Sequence, residues 1–329
     1  MKMKDYISDF TKHLKDAITI GESASLKLNV AKIDNVLICG LGGSGIGGTI
    51  VSDIISKKVT VPIFTNKDYS IPGFVSQNTL VIANSYSGNT EETLSALNKC
   101  FEKKAKIAII SSGGKLIDFA KKNNCNFINI PGGSPPRAMF GYAFTELFYI
   151  LNSYGVIDDS FKSHFKKAIK LLDAEKKNIQ IEAQKLAKKL HRTTPVIYVA
   201  NGFEGVAIRF RQQINENSKM LCWHHVVPEM NHNELLGWRT NVEKLSVVYF
   251  RNLTDNKRNK IRIDINKNVI SQYTQNINEV WSKGDSLIEN SLYHIHLGDW
   301  TSWYLSVLNA VDAVEIDVIN YLKNELGKL

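Results

Sequence analysis

Cysteine is scarce and scattered in this chain: Cys39, Cys100, Cys125 and Cys222 lie far apart, with no CxxC pair among them. That pattern excludes a disulfide-stapled secreted scaffold and favours reduced thiols. No segment has the ~18 apolar residues of a membrane span. The amphipathic stretch from Met1 to Asp16, with Asp5, Asp9 and Asp16, lacks the ~7–15-residue apolar core of a signal peptide. The expected compartment is therefore the cytosol (cytoplasmic), with no membrane partner. The net charge of +9 comes with no zinc finger, helix-turn-helix or aromatic-and-basic ladder, so no nucleic acid partner is expected. Ten of the 41 Lys and Arg fall between Phe161 and Arg192, interleaved with Ala168, Ile169, Leu172, Ile179 and Leu186 at near-helical spacing. This predicts a long amphipathic helix over 161–192, with at most one break, whose solvated face is basic. A general positive field also helps to draw in an anionic metabolite.

What the chain does have is length and apolar strands. Two domains are expected at 329 residues, and such a chain buries roughly 75% of its unfolded surface without a disulfide or metal staple. Apolar runs at 35–39, 59–65, 79–83, 105–110 and 126–130 alternate with helical patterns at 46–56, 91–104 and 115–123. A strongly apolar helix follows at 138–152. Continuous apolar strands imply burial on both faces, hence a parallel sheet covered by helices. After the lysine-rich helix the pattern restarts with strands at 195–200, 220–226 and 245–250 and helices at 204–217, 284–311 and 315–326. The predicted architecture is two parallel α/β halves, 1–153 and 154–329, without a repeat strong enough to prove duplication.

The most informative stretch is Asn84-Ser85-Tyr86-Ser87-Gly88-Asn89-Thr90, between an apolar strand and a helix. Free backbone N–H groups and the positive end of the helix dipole converge there, and Ser85, Ser87 and Thr90 add neutral donors. The site suits a phosphate or another small anion. An earlier turn, Gly40-Leu41-Gly42-Gly43-Ser44-Gly45, contains a literal G-x-G-x-x-G after a strand. A dinucleotide reading needs an acid closing the second strand, which ends instead in Asn66-Lys67, with Asp68 only displaced. The alternatives are a turn kept for helix packing and a turn whose Gly42 and Gly43 backbone approaches a small ligand while Ser44 offers a hydroxyl. In the last case both strand ends face one crevice at the carboxyl edge of the sheet.

Pro135-Pro136-Arg137 puts an arginine at a helix start, the wrong end for the dipole, which points to anion or oxyanion contact; a solvent-facing arginine is the competing reading. In the second half, Arg209 and Gln212 share a helix face with Glu216. The loop Pro228-Glu229-Met230-Asn231-His232-Asn233-Glu234 sets one imidazole between two asparagines, which can fix its tautomer for proton transfer. A lone histidine with no chemical role is the competing reading. The spacing of His224, His225 and His232 matches no standard zinc pattern, and no metal site is expected.

Together, Gly42-Gly43-Ser44-Gly45, Ser85 to Thr90, Pro136-Arg137, Asn215-Glu216-Asn217 and Pro228 to Glu234 resemble the bifunctional phosphoglucose/phosphomannose isomerases, a family built from two sugar isomerase (SIS) domains. The similarity runs from about residue 30 to the C-terminus, and the order of the five blocks is more specific than any one of them. The resemblance implies two flavodoxin-like halves and a homodimer with active sites shared between subunits. It places Ser44, Ser85, Ser87 and Thr90 on the sugar phosphate and Glu216 on the carboxylate that moves a proton between C1 and C2 through a cis-enediol. Arg137 falls on the arginine that stabilises the enediolate oxygen. His232, expected from the neighbouring subunit, and Lys323 fall on ring-opening residues.

The chemistry stands beside the resemblance. Removing a carbon-bound proton next to a carbonyl needs one carboxylate and one cation or donor at the oxygen, and no cofactor. One departure concerns specificity. The family's Asp-Pro-Thr-Pro-like segment, whose threonine is associated with mannose stereochemistry, reads here Val311-Asp312-Ala313-Val314-Glu315-Ile316. Other SIS proteins are sugar-phosphate sensors, amidotransferase parts and etherases; a sensor's DNA-binding domain has no room in the roughly 30 residues ahead of the first strand.

Overall fold

The computed structural model describes residues 2–27, 32–241 and 244–328. Two short helices, α1 (Met3–Ser8) and α2 (Phe10–Ser23), precede β1 (Asn35–Cys39), α3 (Gly42–Ile55), β2 (Ile63–Asn66), β3 (Thr79–Asn84) and α4 (Glu91–Glu102). Then come β4 (Lys106–Ser111), α5 (Gly114–Lys122), β5 (Asn126–Asn129), a 3₁₀ turn at Pro136–Met139 and α6 (Phe140–Ser153). Helix α7 (Ser160–Leu190) leads to β6 (Thr194–Ala200), α8 (Glu204–Ser218), β7 (Trp223–Val227), a 3₁₀ turn at Glu229–His232 and the single turn α9 (Glu234–Gly237). The chain finishes with β8 (Leu245–Arg251), α10 (Lys257–Ile270), β9 (Ile277–Trp281), α11 (Leu287–Leu308) and α12 (Asp317–Leu326).

Both sheets are parallel throughout. The first has the order β2-β1-β3-β4-β5 and the second β7-β6-β8-β9. The first order is the flavodoxin-like one, and the second repeats it without a fifth strand. Every residue of β3 is buried, as a strand covered on both faces requires.

Strand alternation sorts these side chains into layers. Val36, Ile38, Leu80 and Ile82 share one core with Ile197, Val199, Val248 and Phe250 of the second sheet, through α3, α6, α7, α8 and α11. The opposite faces, Leu37, Cys39 and Val81 in one sheet and Val196, Tyr198 and Tyr249 in the other, pack on α4 and α5 and on α10 respectively. The helix layer between the sheets is thus common to both halves.

One expectation is borne out, one helix boundary moves and two elements are added. The lysine-rich segment is a single helix of 31 residues, about 46 Å long, without a break; Phe161, Phe165, Ala168, Leu172, Ile179, Leu186 and Leu190 keep one continuous buried stripe along it. Helix α3 begins inside the glycine turn, at Gly42 rather than Ile46, so Gly42, Gly43 and Ser44 form its first turn. Helix α10 and strand β9 were not read from the sequence. The helix buries only Ile263, Asn266 and Ile270, which leaves a weak apolar stripe.

Candidate active site

The carboxyl ends of β1 and β3 bring the glycine turn and the hydroxyl turn together. A Cβ on Gly45 would stand 2.1 Å from the Gly40 carbonyl oxygen, so only glycine lets α3 start so near the strand. The Ser44 hydroxyl accepts the Tyr86 N–H at 3.1 Å, and the Ser44 carbonyl accepts from Asn84 Nδ2 at 2.9 Å. Among the described residues nothing takes the Ser44 hydroxyl proton, which can donate to a ligand. The Ser85 and Thr90 hydroxyls pair at 2.7 Å, while Ser87 is exposed and accepts the Asn89 N–H at 3.3 Å. Thr90 is the N-cap of α4, yet its side chain makes no capping hydrogen bond, so among the described residues the first N–H groups of that helix lack this side-chain partner.

Tyr86 extends this cradle towards the arginine. Its hydroxyl accepts the Ser134 N–H at 3.1 Å, and Gly43 lies against the Arg137 backbone, where an added Cβ would sit 3.2 Å from the Arg137 Cα. The Arg137 side chain is only 4% exposed, which excludes a solvent-facing role. Its Nε donates to Asn217 Oδ1 at 2.8 Å, its Nη2 to the carbonyls of Ala313 and Val314, and its Nη1 stands 3.3 Å from Glu216 Oε2. Burial pushes the guanidinium below its usual value, opposed by the Glu216 and Asp312 carboxylates; arginine nevertheless stays charged. Glu216, near the end of α8, keeps 27% of its side chain exposed, and among the described residues nothing partners its Oε1. A fixed buried cation thus faces an accessible carboxylate beside a cradle of hydroxyl and N–H donors. Chemically, that arrangement can hold an anion at one end and move a proton next to a developing oxyanion at the other.

Further contacts hold the Arg137 backbone and side chain. Arg209, 3% exposed, donates to the Arg137 carbonyl at 3.2 Å and to Asp299 Oδ2 at 2.7 Å, with its guanidinium over the Phe140 ring. Gln213 rather than Gln212 completes the group, donating to Asp299 Oδ1 at 2.8 Å. Asn217 bridges Arg137 to Ser302 Oγ at 2.9 Å. Sequence spacing pointed to Arg209; Asp299, 90 residues further on, had no local signal.

His232 and Lys323 are not joined to this group. His232 is exposed, and its flanking asparagines are engaged elsewhere: Asn231 Nδ2 donates to Asn266 Oδ1 at 2.6 Å, and Asn233 Oδ1 accepts the Glu234 N–H. The asparagines therefore do not set the imidazole tautomer within this chain. Lys323 lies on α12, which has no buried residue. Among the described residues no group of three or more His, Cys, Asp and Glu side chains is arranged to hold a metal ion.

Known proteins match this chain along its length. A bifunctional phosphoglucose/phosphomannose isomerase of Caldicellulosiruptor bescii is 37% identical over 99% of this chain and 99% of its own. The chain belongs to the bifunctional phosphoglucose/phosphomannose isomerase family. The member from Aquifex aeolicus is 34% identical over 89% of this chain and 90% of its own. Residues 179–326 match the family model described as the bacterial phospho-glucose isomerase C-terminal SIS domain. The C-terminal domain of a glucosamine-fructose-6-phosphate aminotransferase from Francisella tularensis has the same fold, with a TM-score of 0.76 over 95% of this chain and 98% of that one, at 14% identity. In this member of the isomerase family the segment Ala313-Val314 meets Arg137 through its backbone carbonyls. Among the described residues no helix is long and apolar enough to cross a membrane.

Proposed function

We propose that this chain is an aldose–ketose isomerase that interconverts glucose 6-phosphate, and mannose 6-phosphate, with fructose 6-phosphate. The observation that carries the reading is the contact between buried Arg137 and accessible Glu216, 3.3 Å apart, beside the hydroxyl cradle. Ser44, Ser85, Ser87 and Thr90, with the Gly42 and Gly43 backbone, hold the phosphate. Glu216 takes the proton from C2 of the aldose and returns it to C1, and Arg137 stabilises the oxygen on which charge develops in the cis-enediolate. A proton moves and no electron leaves the sugar, so the reading calls for no cofactor.

The ring-opening roles fall to His232 and Lys323. Their exposure in a single chain supports a homodimer with shared sites, as do Val318 and Tyr321 of α12, 80% and 67% exposed. We further propose two SIS domains, 1–153 and 154–329. The four free cysteines support a cytoplasmic enzyme.

The test incubates the EDTA-treated protein with fructose 6-phosphate and quantifies glucose 6-phosphate and mannose 6-phosphate separately. Both products are expected. Glucose 6-phosphate alone would tie the Ala313-Val314 segment to a narrowed specificity, and neither product would overturn the isomerase reading.

A further inference from the structure

Lys219 ends α8 in the left-handed conformation, at φ 55° and ψ 40°, where glycine or asparagine is the usual residue. Its ammonium group is committed to two backbone carbonyls from distant parts of the chain. Nζ donates to the Glu216 carbonyl at 2.6 Å and to the Glu315 carbonyl at 2.7 Å. The Glu315 carboxylate is farther, at 3.6 Å, and both side chains are partly exposed, so this ion pair contributes little. The two carbonyl bonds are the substance of the contact.

These bonds close a ring through the catalytic pair. Glu315 directly follows Ala313 and Val314, whose carbonyls accept from Arg137 Nη2, and Arg137 Nη1 faces the Glu216 carboxylate. The ring thus runs from the Glu216 backbone through Lys219, the 313–315 segment and Arg137 back to the Glu216 side chain. The segment has no proline to pre-set its backbone. Within it, Asp312 Oδ1 accepts the Val314 N–H at 2.8 Å, and Lys219 supplies the tie to α8. With Nε held by Asn217, the rotation of the guanidinium plane depends on where the 313 and 314 carbonyls lie.

We infer that Lys219 is a positioning residue of the isomerase: it pins the 313–315 segment to the end of α8 and so fixes the orientation of Arg137 towards Glu216. The inference rests on the isomerase reading of this site. A plain helix-terminating role would make Lys219 matter for stability alone, whereas the ring makes it matter for turnover.

The test compares the full chain with Lys219→Met and Lys219→Arg, by steady-state kinetics on fructose 6-phosphate and by amide hydrogen exchange. The phosphate cradle sits on α3 and the β3–α4 turn, and the Lys219 ammonium bonds to Glu216 and Glu315 instead. Lys219→Met should therefore lower kcat at least about tenfold with KM within about threefold, the signature of an interaction made only in the transition state. Lys219→Arg, which keeps a cation with several donors, should recover kcat to within about threefold of the parent. Amides of residues 313–317 should exchange at least about tenfold faster in Lys219→Met, with the β3 amides unchanged. An unaltered kcat, an unaltered 313–317 exchange, or exchange accelerated across the whole molecule would each overturn the inference. A parent chain inactive on fructose 6-phosphate would fail the isomerase reading instead, and the exchange pattern would still report on the tie itself.

Discussion

Glu146 offers a prediction whose size follows from its position. It lies on α6, where every residue from Phe140 to Leu151 is buried, and among the described residues neither carboxylate oxygen has a hydrogen-bond partner. Burial without a partner disfavours the charged form and pushes the carboxyl up to about 9 from its ordinary 4.5. The folded chain therefore holds a proton that the unfolded chain releases, so the contribution of this group to stability is most favourable below pH 4.5 and worsens as pH rises towards 9. At about 1.4 kcal/mol per pH unit, carrying this group costs about 3 kcal/mol at pH 7. Glu146→Gln removes the titration and keeps the shape. The variant should match the parent near pH 5 and gain on it steadily above. For 329 residues, an unfolding entropy of roughly 2.1 cal/mol/K per residue makes 3 kcal/mol worth about 4–5 °C in Tm. Thermal melts followed by circular dichroism at pH 5.5, 7.0 and 8.5 read this directly. Parallel Tm-versus-pH curves for the two proteins would refute the reasoning, because they would mean that Glu146 has found a partner or a water.

Two further predictions concern the site. Glu216→Gln should lower kcat at least about 10²-fold with KM within about threefold, measured by coupled detection of glucose 6-phosphate. Retained activity would move the base to another carboxylate; Glu234 is poorly free for it, since its Oε1 accepts from Tyr198 at 2.5 Å and Trp223 at 3.1 Å. Asp299→Asn should cost about 3–5 kcal/mol in urea unfolding, because it leaves the Arg209 cation buried without its counter-charge. A loss below about 1 kcal/mol would show that Arg209 is satisfied by the Arg137 carbonyl and the Phe140 ring alone.

Features that depend on neighbouring residues were legible in the sequence, and features that depend on distant ones were not. Strands β1, β3, β4 and β6 announce themselves as apolar runs, and the flanking turns announce a ligand-facing edge, because burial on both faces and helix-end donors are local consequences of residue type. Helix α10 escaped because only three of its residues are buried, and β9 because its burial alternates in a five-residue strand. Arg137 was suspected from its unfavourable place at a helix start. What holds it lies 80 residues away at Asn217 and 176 at Ala313, and no pattern within a helical or strand window encodes such pairs. The same distance explains Lys219: a lysine after Asn217-Ser218 reads as a basic residue at a helix end, which the dipole favours, and nothing local says that it will reach Glu315, 96 residues on. The three polar bonds from Arg137 and Lys219 to residues 313–315 therefore do what the sequence leaves unspecified: they bring a segment between α11 and α12 to the end of α8, where the accessible carboxylate of Glu216 meets a cation whose orientation is already set.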